Sequence, residues 1–126
     1  MPKILIIDDD PFVRTTLQSR LQKENFEVVT AETGAEGIAL ATRERPHLIV
    51  LDLTMPDIDG LDVLERLHRE IITWDISVLV LTARGDPESR QRSQQLGVSR
   101  FFVKPLSPRH LLAEINRLLK SAQSQS

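Results

Sequence analysis

Four short apolar runs in this chain each end in residues able to handle charge. Asp8 and Asp9 follow Ile4-Leu5-Ile6-Ile7, and Asp52 follows Leu48-Ile49-Val50-Leu51. Thr82 follows Val78-Leu79-Val80-Leu81, and Lys104 follows Phe101-Phe102-Val103. Polar groups at the ends of buried segments are costly unless they serve one another or a ligand. Two carboxylates about 4 Å apart repel by roughly 4 kcal/mol at an effective dielectric of about 20, so three stay ionised together only beside cations. Hard oxygen donors backed by water favour Mg²⁺, which is usually held by one or two carboxylates plus phosphate oxygens. Such a metal also neutralises charge developing on a transferred phosphoryl group. The residue types therefore point to a divalent-cation site around Asp52, with a hydroxyl and an ammonium beside it.

The elements that must position these groups are legible. Continuous rather than alternating apolar runs suit parallel strands covered on both faces. With the shorter run Val28-Val29, five strands are expected. Between them lie helical segments with clear starts: Asp10-Pro11, Asp86-Pro87 and Ser107-Pro108 each set a capping side chain before a proline at the first helical position. Thr33-Gly34-Ala35-Glu36 has the spacing of a capping box, and the third helix is expected to begin near Gly60. Apolar residues recur at helical spacing: Val13, Leu17, Leu21; Ala35, Ile38, Ala39; Leu61, Leu64, Leu67, Ile71; Leu111, Leu112, Ile115, Leu118, Leu119. The segment from Pro87 to Leu96 offers almost nothing to bury and is expected to be loosely held. Strand and helix alternate five times, which predicts an α/β fold with an open, doubly wound parallel sheet and right-handed crossovers. In such sheets a ligand sits beyond the carboxyl ends of the strands, where all the residues named above fall.

Composition narrows the classes. The 126 residues, 40% apolar and 27% charged, suffice for one globular domain, expected over 1–120 with a short polar tail at 121–126. The absence of cysteine rules out disulfides and thiolate metal sites. No apolar stretch is long enough to span a membrane, so a soluble, cytoplasmic protein is expected. A net charge of −2 gives no support to general nucleic-acid binding, although arginines crowd the last third of the chain.

The set Ile6-Ile7-Asp8-Asp9-Asp10, Leu51-Asp52-Leu53-Thr54-Met55-Pro56, Asp59-Gly60, Leu81-Thr82-Ala83 and Val103-Lys104-Pro105 closely resembles the receiver domains of two-component response regulators. The resemblance covers essentially the whole chain, with the motifs in order. It implies a flavodoxin-like sheet of strand order 2-1-3-4-5. It also implies that Asp52 is the phosphoacceptor, taking a phosphoryl group from a sensor histidine kinase, a histidine phosphotransfer protein or a small donor. Asp9, Asp52 and the backbone carbonyl of Thr54 would bind Mg²⁺ directly, with Asp8 acting mainly through water. Lys104 would pair with Asp52 at rest and with a phosphoryl oxygen afterwards, and Thr82 would turn its hydroxyl to another. Phe101 stands where relatives often carry a tyrosine that moves with the threonine, and the Lys104-Pro105 bond would be cis. Arg84 and Thr54 border the path of an attacking water. The last strand and last two helices would form a switched surface for a downstream protein target or a phosphorylation-dependent homodimer. No external substrate turnover is expected.

Other assignments are plainer. Asp10 is expected to cap the first helix, Asp59 and Gly60 to shape the loop into the third, and Trp74 to pack. His47, His68 and His110 lack ligand spacing. A haloacid-dehalogenase-like phosphatase, whose first strand ends in Asp-x-Asp, would need a late acidic pair that Glu88 and Glu114 do not supply, and it leaves Asp52 idle. A flavodoxin-like cofactor site would need a hydroxyl- or glycine-rich loop where three aspartates stand. A receiver fold serving only as a docking module is the remaining alternative, and the complete acid, Thr82 and Lys104 set argues against it.

Overall fold

The computed structural model describes residues 1–124. Strands and helices alternate as β1 (Lys3–Ile7), α1 (Pro11–Lys23), β2 (Glu27–Ala31), α2 (Gly34–Glu44), β3 (Leu48–Leu51), α3 (Gly60–Arg69), β4 (Ser77–Thr82), α4 (Pro87–Gln95), β5 (Arg100–Val103) and α5 (Pro108–Ser124). Every neighbouring pair is parallel, in the order β2-β1-β3-β4-β5.

The unbroken apolar runs are explained by burial on both faces. Leu5, Ile7, Ile49, Leu51, Val78 and Val80 join a core with Val63, Leu64 and Leu67 of α3. Ile4, Ile6, Leu48, Val50, Leu79 and Leu81 join a second core with Leu17 and Leu21 of α1 and Leu111 and Ile115 of α5. Ile4 to Ile7 have no exposed surface, and each contributes about 2 kcal/mol by leaving water. The chain passes from β1 to β2 on one side and then crosses back to β3 on the other, so a crevice opens where the carboxyl ends of β1 and β3 meet.

The helix starts ring that same rim. Asp10 Oδ1 accepts the Phe12 N–H at 2.9 Å, Thr33 Oγ1 the Glu36 N–H at 3.1 Å, and Asp59 Oδ1 the Leu61 N–H at 2.8 Å. Asp86 Oδ2 accepts the Ser89 N–H at 3.0 Å, and Ser107 Oγ the His110 N–H at 3.1 Å. Asp10 is thus a cap, as its proline neighbour predicts.

Several expectations need correction. Helix α3 stops at Arg69, where Thr73 Oγ1 turns back to donate to the Leu67 carbonyl at 2.7 Å. That turn draws Thr73 inward and leaves Ile71 85% exposed and Trp74 59% exposed, so neither packs as expected. Helix α2 buries Gly34, Gly37 and Ala41 instead of Ala35 and Ala39. A Cβ on Gly37 would stand 2.6 Å from Ile7 Cδ1, which shows how closely α2 approaches β1. Helix α4 does have an inner face, made of the buried serines Ser89 and Ser93 and closed by Leu96. Helix α5 runs on to Ser124, since nothing from Ser121 onward breaks it, so most of the expected tail is helical. Gln125 and Ser126 lie outside the described residues.

Candidate phosphoryl-transfer site

Three ladder bonds carry the chemistry-bearing residues to the rim. The Asp8 N–H donates to the Ala31 carbonyl at 3.1 Å, the Asp52 N–H to Ile7 at 2.9 Å, and the Lys104 N–H to Thr82 at 2.8 Å. Each residue therefore continues its strand by one position before the chain turns away. The Lys104-Pro105 peptide is cis, as expected.

Lys104 Nζ stands 2.9 Å from Asp52 Oδ2 and 2.9 Å from Asp8 Oδ2. The remaining oxygens are also engaged: Asp52 Oδ1 accepts the Thr54 N–H at 3.0 Å, and Asp8 Oδ1 the Asp10 N–H at 2.9 Å. Asp8 and Asp52 are buried and Asp9 is exposed. Burial pushes the Asp8 carboxyl above its ordinary range, against the pull of the Asp10 N–H and the Lys104 ammonium. Burial pulls Lys104 down, but its bonds to Asp52 and Asp8 prevail and hold it above the usual lysine value. Lys104 thus bridges two acids at once, a sharing that spacing along the chain does not disclose.

Asp8, Asp9 and Asp52 each present an oxygen, and these lie within 4.8 Å of one another. One ammonium against three carboxylates leaves two negative charges without a counter-charge in the cluster, which one divalent cation would balance. The donors are all hard oxygens, with the exposed Asp9 leaving room for water, so the set fits Mg²⁺. Among the described residues no late acid joins this group, which disposes of the dehalogenase-like arrangement.

Thr82 is fully buried, and its Oγ1 accepts the Arg84 N–H at 3.2 Å. Thr54 lies exposed on the loop after β3, and Ala83 is exposed beside Thr82. Phe101 is half-buried, with the Arg90 guanidinium 4.7 Å from its ring centroid.

The loop that follows Asp52 is fixed at three points. The Gly60 N–H donates to the Leu53 carbonyl at 2.8 Å, and a Cβ on Gly60 would lie only 2.2 Å from Leu53 Cα, so no larger residue fits. Asp57 Oδ1 and Oδ2 accept the Gly34 and Ala35 N–H groups at 2.8 and 3.0 Å, at the positive end of α2. Those two N–H groups hold the Asp57 carboxyl below its usual value. Arg84 Nη1 donates to both oxygens of Asp59 at 3.1 Å and its Nη2 to Ser89 Oγ at 3.1 Å, so it joins this loop to α4. Sequence reasoning missed the tasks of Asp57 and Arg84 because their partners are distant in the chain.

Residues 4–116 match the response regulator receiver domain family, and the chain belongs to that family. It is a receiver domain of two-component signalling. It is 40% identical over 122 residues to a probable transcriptional regulator, ycf27, of Cyanophora paradoxa, covering 97% of this chain and 50% of that protein. It is 39% identical over 120 residues to the DNA-binding dual master transcriptional regulator RpaA of Synechocystis, covering 95% and 50%. The chain thus spans about half the length of the curated relatives it matches. Its fold superposes on a CheY-like receiver domain protein of Methanospirillum hungatei with a TM-score of 0.96 at 28% identity, covering 100% of this chain and 99% of that one. The beryllofluoride-activated N-terminal receiver domain of Klebsiella pneumoniae RstA gives a TM-score of 0.85 at 29% identity, covering 93% and 97%.

Proposed function

We propose that Asp52 accepts a phosphoryl group from a sensor histidine kinase or histidine phosphotransfer protein and that this event switches a partner-binding surface. The observation that carries the reading is the Lys104 ammonium held 2.9 Å from both Asp52 and Asp8 in the crevice of the sheet. Asp52 Oδ attacks phosphorus, a P–O bond forms, and the P–N bond of the donor phosphohistidine breaks with its electron pair leaving on the imidazole nitrogen. Asp8, Asp9, Asp52 and the Thr54 carbonyl would hold Mg²⁺, which would supply positive charge against the phosphoryl oxygens. Lys104 then releases Asp52 and pairs with a phosphoryl oxygen, while the Thr82 hydroxyl donates to another.

Withdrawal of the Thr82 hydroxyl from the Arg84 N–H disturbs the loop into α4. Phe101, with no hydroxyl of its own, follows through packing alone. The surface formed by α4, β5 and α5 changes with it and is read by a downstream protein. The chain turns over no external substrate beyond its own phosphorylation and dephosphorylation, and it works in the cytoplasm.

Intact-mass measurement after incubation with acetyl phosphate and Mg²⁺ tests this directly. A single phosphate adduct on the wild type and none on Asp52→Asn is the expected result. An adduct on both, or on neither, overturns the assignment of Asp52.

A further inference from the structure

Strand β5 is an edge of the sheet, between α4 on one face and α5 on the other. Both of its aromatic side chains lie under arginines: Arg90 is 4.7 Å from the Phe101 ring centroid, and Arg100 is 5.0 Å from that of Phe102. On α5 the Glu114 side chain, only 10% exposed, gathers two arginines and a histidine. Arg100 Nη1 lies at 3.2 Å, His110 Nε2 at 3.8 Å, and Arg117 pairs with the same carboxylate. The acid points inward and is consumed there, while Arg117 and His110 remain 59% and 51% exposed.

Among the described residues no other acid pairs with Arg100 or Arg117. From Leu96 to the end of the sequence there are five lysines and arginines, and Glu114 is the sole acid. The acids of α4 and its cap face elsewhere: Glu88 lines a groove with Asp62 of α3 and its cap Asp59, and Asp86 caps α4. The edge is therefore cationic on both sides of β5, with Arg90 over Phe101 towards α4 and Arg100 over Phe102 towards α5.

A twofold dimer through this edge would set the patch against itself, so Arg90, Arg100 and Arg117 of one copy would meet the same set on the other. Like-charge contacts of that kind disfavour the pairing. Three arginines, one each on α4, β5 and α5, on a chain of net charge −2, also suit a short acidic segment better than a nucleic-acid duplex. We propose that the β5 edge binds an acidic segment of a partner protein and not a second copy of this chain, with Arg90, Arg100 and Arg117 as its contacts. The inference rests on the reading that the α4-β5-α5 surface is where the partner docks.

The test is a titration of ¹⁵N-labelled full chain with a peptide of glutamates interrupted by leucines, and with its lysine counterpart. It is run at low and at physiological salt, with and without Mg²⁺ and beryllofluoride, alongside sedimentation velocity. The acidic peptide alone is expected to shift the amides of Arg90, Phe101, Phe102 and Arg117, more weakly at higher salt. Binding to Arg90→Gln/Arg117→Gln is expected to be about three- to tenfold weaker. Arg90→Gln alone leaves the Glu114 cluster intact and serves if the double variant does not fold. Absence of these shifts in both states overturns the inference, as does a dimer whose interface holds Arg90 and Arg100. Tighter binding of a DNA duplex at the same residues overturns it too. Equal peptide affinity with and without beryllofluoride supports the acidic partner and instead removes the phosphorylation switch.

Discussion

Arg84 holds both carboxylate oxygens of Asp59 from a single guanidinium nitrogen, each at 3.1 Å, and reaches Ser89 with another. Helix α4 is thereby fastened through polar contacts, with Arg92 Nη2 to Glu65 Oε2 at 3.0 Å as a second tie. Among the described residues the buried Ser93 hydroxyl has no hydrogen-bond partner, which adds a desolvation cost to the inner face of α4. In Asp59→Asn the side-chain oxygen still caps α3 but the charge is lost. Amide hydrogen exchange at Ser89 and Arg90 is expected to rise about two- to fivefold, in keeping with a pair that is partly exposed. Arg84→Gln in the same background should add little if the two residues act together.

Asp57 offers a pH test away from the site. Its folded-state carboxyl is held below its ordinary value by the Ala35 and Gly34 N–H groups. A depressed acid contributes stability that is fully present above its unfolded value and is lost as pH falls through the folded one. Asp57→Asn is therefore expected to lower stability at neutral pH and to flatten the acid limb below about pH 4. Urea unfolding at pH 7 and pH 3 measures both; parallel loss at the two pH values counts against the ionic cap.

Lys104→Ala separates metal binding from phosphoryl transfer. Removing the ammonium leaves Asp8 and Asp52 without their shared cation, so Mg²⁺ affinity measured by calorimetry is expected to rise. The acetyl phosphate reaction should nevertheless slow by at least about tenfold, because a cation aimed at the phosphoryl oxygens is missing. A variant that transfers phosphate at the wild-type rate would contradict the role given to Lys104.

Gly60→Ala tests the loop. The added Cβ would lie 2.2 Å from Leu53 Cα and 2.6 Å from its carbonyl oxygen, and backbone cannot rotate away as a side chain can. A loss of about 2 kcal/mol or more in chemical denaturation is expected. Mg²⁺ affinity should fall as well, since Leu53 adjoins both Asp52 and Thr54.

The strands and the five polar residues that follow them were readable from local pattern, because a run covered on both faces must be apolar throughout. The helix caps at Asp10, Thr33, Asp86 and Ser107 were readable for the same reason: each cap and its partner lie within three residues. Contacts across the chain were not. Asp57 and Gly34 are 23 residues apart, and Arg84 and Asp59 are 25 apart. Nothing in the residue types distinguishes them from solvated surface charges. Ile71 was misplaced for a related reason, since it continues the helical apolar period that the Thr73 turn interrupts.

The outward position of Trp74 has an optical consequence. It is the chain's sole tryptophan, and it precedes β4 at the amino end of a six-residue strand whose carboxyl end carries Thr82. Such a strand spans about 20 Å, so the indole is remote from the metal and phosphoryl positions and already wet. Native emission should stay constant when Mg²⁺ or beryllofluoride is added, and an indole introduced at Phe101 would provide the fluorescent reporter that this chain lacks.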